Sequence, residues 1–357
     1  MYDKRDVTVE VRGARRGERP AICHLIDAAF DAESCGPSLA EPCRSVGNSH
    51  LDPHDRLRNT RVLLANGEIV STVHVAERRA YAIGARVPFG FIAMVATHPV
   101  HRRRGYMRRL MTDAETYMRI RGFCYAVLFG RFGTYASLGW RWCYGKRVTP
   151  VSMYTMPCYA GNAVRTTVRA AAEDDIAFLS QAYRSRYGKR FGPVVRSQEY
   201  WRRWSLRCTW NGAYMMACDA AGPIGYFHVN GDSVDEIGWK GSGEGMPERV
   251  FRALSAHGAT SGARSLSLWL DDADDAAIRA LERAFGSVPR VFADPAGQPV
   301  CCGDPGAYLP ESEPDQVGYM VKLLGPGPGI LANVASTDAL LEAMARHSWT
   351  YLDGDSM

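Results

Sequence analysis

The segment that most constrains the fold is an apolar strand that runs directly into an arginine- and glycine-rich loop and then into an amphipathic helix. The strand is predicted at 87–96, and the loop at 97–105 contains Arg102, Arg103, Arg104 and Gly105. The helix that follows ends near Gly122 and has apolar residues at helical spacing. These residues are Met107, Leu110, Met111, Ala114 and Met118. Because this helix face must pack on the sheet that supplies the strand, the segment predicts an α/β fold.

The rest of the first 155 residues predicts more strands around this segment. A strand at 8–13 and a helix at 19–30 come first, followed by a long polar loop at 31–59. Asn66-Gly67 and Gly84 each lie between strand patterns and predict two hairpins. Further elements are predicted after the amphipathic helix: a strand at 125–129, a short helix at 135–138 and a closing strand at 147–154. Residues 1–155 therefore predict one domain.

The opening strand-then-helix layout recurs after a linker at 156–162. In both copies an arginine ends the strand, Arg12 in the first and Arg169 in the second. Strands and helices then alternate up to a strand at 319–324, which predicts a second domain at 165–324. Residues 325–357 predict a terminal helix at 337–346 and a tail.

Composition restricts the class of protein. The chain has 357 residues, 46% of them apolar and 23% charged, which fits a two-domain globular protein. Neither an apolar leader nor a long apolar stretch is present, and the 10 cysteines form no regular framework, so we expect a cytoplasmic location and no membrane partner. The His and Cys spacing favours no metal site, and the net charge of +5 is too small to imply a nucleic-acid partner.

The loop at 97–105 has the features of a phosphate site. The first N–H groups of a helix have no partner within the helix and lie at its positive end. Gly105 lets a ligand approach the backbone, and five cations surround the point. These cations are Arg102, Arg103, Arg104, Arg108 and Arg109. The alternative is a basic helix start on a solvated face, or a nucleic-acid patch.

At these residues the sequence resembles the GNAT superfamily of N-acyltransferases. Its acetyl-CoA motif, Gln/Arg-x-x-Gly-x-Gly/Ala, is matched by Arg102 and Gly105, whereas Met107 departs from it. The resemblance implies that the backbone of Arg103, Arg104, Gly105, Tyr106, Met107 and Arg108 holds the CoA pyrophosphate. It also implies that Met94, Val95 and Ala96 pair with the pantetheine arm like an added strand. Acetyl-CoA or a longer acyl-CoA is therefore the expected co-substrate.

A second motif follows at Tyr135-Ala136-Ser137-Leu138-Gly139-Trp140. It resembles the Tyr-x-x-Leu-Gly-aromatic segment of GNAT domains, whose tyrosine protonates the departing thiolate. Tyr135 is thus the candidate general acid, with a purely structural tyrosine as the alternative.

The residues that bind and deprotonate the acceptor are less constrained. His74 and His228 lie in predicted strands and are candidate bases, although core histidines or a water relay are equally compatible. Asp31 and Glu33, together with Asp52 and Asp55, lie where GNAT enzymes form the acceptor wall and could attract a cationic amine. Trp204 is a candidate for sugar stacking or for a place in the core.

The second half lacks the arginine loop. The corresponding junction, 236–246, contains Glu236 and several glycines. The chain therefore resembles two-domain GNAT acyltransferases whose degenerate second unit shapes the acceptor site, including enzymes that acylate aminoglycosides and aminosugars. This implies tandem GNAT folds, each a mixed, mostly antiparallel sheet flanked by helices. The expected enzyme is a monomer or small homo-oligomer that acylates a small-molecule amine. A protein or peptide acetyltransferase and a non-catalytic ligand-binding protein remain the alternatives.

Overall fold

Two sheets flanked by helices form the fold of this chain. The computed structural model describes residues 7–30, 52–54, 56–142, 151–159, 166–207, 212–241, 245–271, 274–293, 299–300 and 317–346. The strands of the first half are β1 (Val9–Gly13), β2 (Thr60–Ala65), β3 (Glu68–Ala82), β4 (Ala85–Thr97), β5 (Tyr125–Arg131), β6 (Arg141–Trp142), β7 (Val151–Pro157) and β8 (Thr167–Ala170). Those of the second half are β9 (Phe191–Val194), β10 (Ala213–Asp219), β11 (Gly222–Asn230), β12 (Ser233–Trp239), β13 (Ser265–Asp271), β14 (Arg290–Ala293), β15 (Pro299–Val300) and β16 (Val317–Leu323).

The helices pack on these sheets. They are α1 (Arg19–Ala29), α2 (Tyr106–Ile120), α3 (Phe132–Tyr135), α4 (Ile176–Tyr187), α5 (Met246–Thr260), α6 (Asp275–Phe285) and α7 (Thr337–Arg346). α1 buries the face that its spacing predicts, with Ile22, Leu25, Ile26 and Ala29 inside. On α2 the prediction is confirmed for Leu110, Met111, Ala114 and Met118. Met107, in the first turn of the helix, is only half-buried.

Each sheet has eight strands, and in the described residues each contains one parallel pair among antiparallel ones. The first sheet has the order β1-β2-β3-β4-β5-β16-β6 with β9 paired to β3, and its parallel pair is β4/β5. The second has the order β15-β14-β7-β13-β12-β11-β10-β8, with β12/β13 parallel. The predicted fold class of mixed, mostly antiparallel sheets is confirmed.

Two turn predictions are confirmed in detail. Asn66 and Gly67 both have positive φ, 53° and 85°, as a type I′ turn between twisted strands requires. Ile83 and Gly84 repeat this geometry with φ of 52° and 84°. The sequence pattern predicts two strands here, at 68–76 and 79–83, but β3 is one strand of 15 residues. It is continuous because β4 pairs with it from Ser71 to Ala82, while β2 pairs with residues 68–74 and β9 with Ala80 and Ala82.

Three strands lie in the opposite sheet from the one that their sequence position predicts, and one of them is β9, which falls within 165–324 but pairs with β3 of the first sheet. The predicted closing strand of the first domain forms β7, which pairs with β13 and β14 of the second sheet. The strand assigned to the second domain forms β16, which lies between β5 and β6 of the first sheet. Each sheet therefore contains a strand from the far side of the expected boundary. Linear patterns could not reveal this, because an apolar strand fits the interior of either sheet.

The halves share local geometry beyond the layout seen in sequence. Arg12 donates to both carboxylate oxygens of Glu18 at 2.9 and 2.6 Å, and Arg169 does the same with Asp175 at 2.6 and 2.7 Å. Both carboxylates also accept a backbone N–H from three residues earlier. α2 and α5 are each 15 residues long and each begins after a left-handed glycine.

The Arg12–Glu18 pair should make stability depend on pH. Hydrogen bonds from Arg12 outweigh the opposing effect of burial and, with the N–H of Arg15, lower the pKa of Glu18 to about 2. This stabilisation is complete above the ordinary pKa of 4.5 and is lost as the pH falls towards 2. At pH 7, the free energy of unfolding of Glu18→Gln should be about 2 kcal/mol lower than that of wild type. Urea unfolding across this pH range should show this difference in free energy closing, whereas Glu68→Gln, at the exposed start of β3, should unfold with the same free energy as wild type.

Candidate functional site

The loop before α2 forms an exposed cationic rim. Gly105 is the N-cap of α2 with φ 77° and ψ 6°, and Arg103 is also left-handed with φ 63°. In the part of the chain that the structure describes, no side chain caps this helix end. The first N–H groups of α2, at Tyr106, Met107 and Arg108, thus face the loop without an intrahelical partner. This arrangement is suited to an anionic ligand.

The arginines of the loop have different roles. Arg102 donates to the carbonyl of Ala29 at 2.9 Å and to that of Thr97 at 3.3 Å, so it ties the loop to α1 and β4. Arg108 donates to Ser137 Oγ at 3.0 Å and so connects α2 to the turn after β5. The side chains of Arg103 and Arg104 are exposed. These two are therefore the better candidates for direct contact with phosphate, and Arg102 is better explained as support for the loop.

A wedge between β4 and β5 opens beside this loop. The parallel ladder ends at the pair Ile92–Leu128, although β4 continues to Thr97 and β5 to Arg131. Met94 has φ 49°, and a bulge in the β3–β4 register lies at this position. Strands that bend apart in this way leave backbone groups available for a third chain. The predicted pantetheine residues Met94, Val95 and Ala96 form one wall of the wedge.

Tyr135 lies at the other wall. It ends α3, directly after β5, and its ring is buried against Trp140 with centroids 6.5 Å apart. Burial raises its pKa to about 12, so the phenol keeps its proton at neutral pH and can act as a donor. The structure therefore places a protonated tyrosine close to the end of β5, and its role as the general acid stays a prediction.

Gly130 lets the Tyr135 ring reach this position. A Cβ added at residue 130 would lie 2.7 Å from Cε2 of Tyr135, closer than real contacts allow. We expect Gly130→Ala to displace the ring and lower the melting temperature by several degrees, as a strain of 1–3 kcal/mol would. The same change in a Tyr135→Ala background should be nearly neutral, because the clashing ring is gone. Equal losses in both backgrounds would contradict this account.

The candidate bases are buried in different sheets. His74 in β3 contacts Thr60 through Nδ1, with Oγ1 at 2.9 Å. His228 in β11 pairs with Asp235, Nδ1 to Oδ1 at 2.6 Å, and its ring lies 4.5 Å from that of Tyr214. Burial, the largest effect, lowers the pKa of His228. The hydrogen bond and charge of Asp235, with the charge of Glu236, outweigh burial and raise the pKa overall.

The acceptor candidates divide into three cases. Asp31, Glu33 and Asp55 lie outside the described residues. Asp52 is buried and accepts from Arg78 Nη1 at 2.6 Å, so its charge is already neutralised. Trp204 is fully buried beside Tyr200, with ring centroids 6.5 Å apart. A stacking role for Trp204 would need that ring to be exposed, so the structure favours its alternative assignment to the core.

Sequence patterns missed a cluster behind the Tyr135 turn. Lys322 of β16 donates to Glu115 of α2 at 2.7 and 2.8 Å and to the backbone carbonyl of Leu138. These residues are 207 and 184 positions from Lys322 in the chain. Local spacing carries no signal for such a contact, because it depends on the placement of β16 in the first sheet.

Neither a metal site nor a membrane-spanning helix is found in the part of the chain that the structure describes. Within the described ranges, no group of three or more His, Cys, Asp or Glu side chains is placed to hold a metal ion. Among the same residues, no helix has both the length and the apolar character needed to cross a membrane.

Comparison with known proteins identifies the first half. The family model of the acetyltransferase (GNAT) domain matches residues 10–143. A search of curated protein sequences gave no match. The solved structures of GCN5-related N-acetyltransferases from Kribbella flavida and Anabaena variabilis resemble this fold, each with a TM-score of 0.59 over 89% of this chain. The similarity covers 71% and 73% of those chains at 16% and 13% identity, so it establishes the fold alone. Residues 10–143 therefore match a GNAT acetyltransferase domain, and the two-sheet fold that contains them is similar to that of larger GCN5-related N-acetyltransferases.

Proposed function

We propose that this protein transfers an acyl group from acyl-CoA to a primary amine of a small molecule, with an aminosugar or aminoglycoside-like compound as the favoured acceptor class. The observation that carries the proposal is the grouping around one wedge of three features. These are the helix N-terminus at Gly105, the splayed strands β4 and β5, and protonated Tyr135. A pyrophosphate at the first and a pantetheine arm in the second would bring the thioester towards the third.

The proposed reaction is a direct displacement in a ternary complex. The amine nitrogen attacks the carbonyl carbon of the thioester, so the C–N bond forms as the C–S bond breaks. Tyr135 donates its phenolic proton to the departing thiolate. The amine proton passes to a base for which His74 and His228 are candidates, with a water relay as the alternative. In this scheme the N–H groups at the start of α2 bind the cofactor and do not take part in bond breaking.

Later parts of the chain cover one face of the first sheet, and this coverage favours a small molecule as the acceptor. On the side opposite α2, side chains of β3 and β4 such as Ala80 and Phe89 are buried with residues from later in the chain. Those residues include Phe191, Val194, Leu331, Leu340 and Met344. β9 also pairs with β3 at Ala80 and Ala82. An extended peptide needs an open groove, so this coverage favours a compact substrate over a protein.

We further propose that the second sheet is a degenerate GNAT unit that no longer binds CoA. The shared Arg–carboxylate pairs and the paired glycines at the starts of α2 and α5 support a common origin for the halves. At the start of α5, however, Pro247 and Glu248 occupy the first turn, and Glu248 pairs with Arg283. A carboxylate at a helix N-terminus competes with phosphate for the same positive potential.

The first experiment is calorimetry with acetyl-, octanoyl- and decanoyl-CoA. Binding of any of them supports the proposal, and the preferred chain length defines the acyl donor. Release of free CoA thiol would then be measured with glucosamine, kanamycin and a lysine peptide as acceptors. Turnover with the peptide alone would favour the protein acetyltransferase. Binding without turnover across a wider amine panel would favour a non-catalytic CoA-binding protein.

Replacement of Tyr135 tests the assigned acid. Tyr135→Phe should reduce turnover about ten- to a thousandfold while the Kd for acetyl-CoA stays near that of wild type, because only the proton donor is lost. Tyr125→Phe, which alters a buried tyrosine at the start of β5, is the matched control. Unchanged turnover in Tyr135→Phe would remove this residue from the mechanism.

A further inference from the structure

The turn that carries Tyr135 is short and has little stability of its own. α3 has four residues, and a single 3₁₀ turn at Ala136–Leu138 follows before Gly139, where φ is 85°. Isolated helical segments of this length are not stable in water. The position of the phenol must therefore be set by contacts from other elements.

Lys322 supplies the contact with the end of this turn. Its ammonium group has three N–H donors, and three acceptors surround it: both carboxylate oxygens of Glu115 and the carbonyl of Leu138. The side chains of Lys322 and Glu115 are only 17% and 8% exposed, so the pair is largely shielded from solvent. The geometry fixes α2, β16 and the turn with respect to one another.

Gly139 adds a second indication of close approach. A Cβ added at residue 139 would lie 3.5 Å from Cε of Lys322, so the lysine stem runs along the backbone of the turn. On the other side, Ser137 accepts from Arg108 in the first turn of α2. The Tyr135 turn is thus held between the cofactor helix and a strand from the C-terminal part of the chain.

We propose that Lys322 is a positioning residue, which through the carbonyl of Leu138 keeps the phenol of Tyr135 directed at the sulfur of bound CoA. This inference rests on the proposed function, since it assumes that CoA occupies the wedge. Lys322 itself touches neither the cofactor nor the acceptor in this role. Its effect is therefore expected to depend on the presence of the Tyr135 hydroxyl group.

The pKa of the CoA thiol in the complex gives a readout that needs no acceptor. A phenol that donates a hydrogen bond to the thiolate favours the ionised form, so it lowers the thiol pKa. The thiolate is followed by its ultraviolet absorbance during a pH titration, and the complex with desulfo-CoA serves as the blank for protein groups. Tyr135→Phe should raise the thiol pKa by about one pH unit, as the loss of one hydrogen bond to a charged group predicts.

The test is a double-mutant cycle between Tyr135 and the lysine contact. Glu115→Met/Lys322→Met removes both charges together, because removal of Glu115 alone would leave the Lys322 ammonium buried without its carboxylate, and removal of Lys322 alone would leave Glu115 with only the longer contact to Arg119 at 3.4 Å. It should raise the thiol pKa nearly as much as Tyr135→Phe does, with the Kd for CoA within about threefold of wild type. Combination with Tyr135→Phe should add nothing further. Lys240→Met, at an exposed lysine of the second sheet, is the matched control and should leave the thiol pKa unchanged.

The possible outcomes separate this inference from the proposed function. A wild-type thiol pKa in the Met pair, or shifts that simply add to that of Tyr135→Phe, would overturn the positioning role and leave the acid role of Tyr135 intact. Absence of CoA binding by the wild-type protein would overturn both. If the Met pair does not fold, Glu115→Gln/Lys322→Gln replaces it. Glutamine keeps polar groups in the site but is too short to reach the Leu138 carbonyl, so the same shift is expected.

Discussion

A chain that ends at residue 316 is expected to lose cooperative folding of the first sheet, even though the family match at residues 10–143 remains complete. The deletion removes β16 from between β5 and β6, and it removes α7 from the face opposite α2. It takes away buried apolar side chains from both faces of the first sheet. Six of the large ones are Met320, Val321, Leu324, Leu340, Leu341 and Met344.

The burial free energy that the deletion removes is large enough to unfold the first sheet. Burial of each such side chain contributes about 2 kcal/mol, so the six together contribute roughly 10 kcal/mol. That is comparable with the whole free energy of unfolding of a typical domain, about 5–15 kcal/mol. Circular dichroism and urea unfolding would measure the effect. A chain that ends at residue 346 keeps all of these contacts and is the control. Cooperative unfolding of the 1–316 chain would show that β16 is dispensable.

Gly105→Asp is expected to weaken acetyl-CoA binding about 10- to 100-fold without loss of the fold. Among the described residues other than its two chain neighbours, no atom lies within 4 Å of a Cβ built at Gly105. Its φ of 77° is a conformation that Asp and Asn adopt more readily than other side chains. The new carboxylate would lie at the N–H groups that we assign to the pyrophosphate. Loss of one hydrogen bond to a charged group costs about 1.5–3 kcal/mol, which corresponds to this change in Kd.

Gly105→Asn separates charge from shape. It has nearly the same size and the same backbone preference but no charge, so its Kd should stay within about fivefold of wild type. Calorimetry of both variants, with melting temperatures as a check on folding, measures the difference. Equal binding by the Asp and Asn variants would place the pyrophosphate somewhere other than the start of α2.

Local chemistry determined much of what the sequence predicted. The hairpin at Asn66-Gly67 follows from residues that tolerate positive φ, and the buried face of α1 follows from helical spacing. The loop at Gly105 is equally local, since one glycine and its neighbouring arginines define a helix N-terminus with positive potential. The family match over residues 10–143 has the same basis, because its motifs lie within continuous segments.

Tertiary structure alone decided which strands complete each sheet and which polar groups are buried. β7 and β16 have apolar patterns that suit either sheet, and only pairing with β13 or β5 separates them. Asp52 looks like an available acid in the sequence, but Arg78 neutralises it inside the protein. Lys322 has no local signal at all, because a single ammonium group gains its role only when three distant acceptors surround it. Sequence patterns record the preferences of each segment, whereas desolvation and long-range pairing depend on where the segments meet.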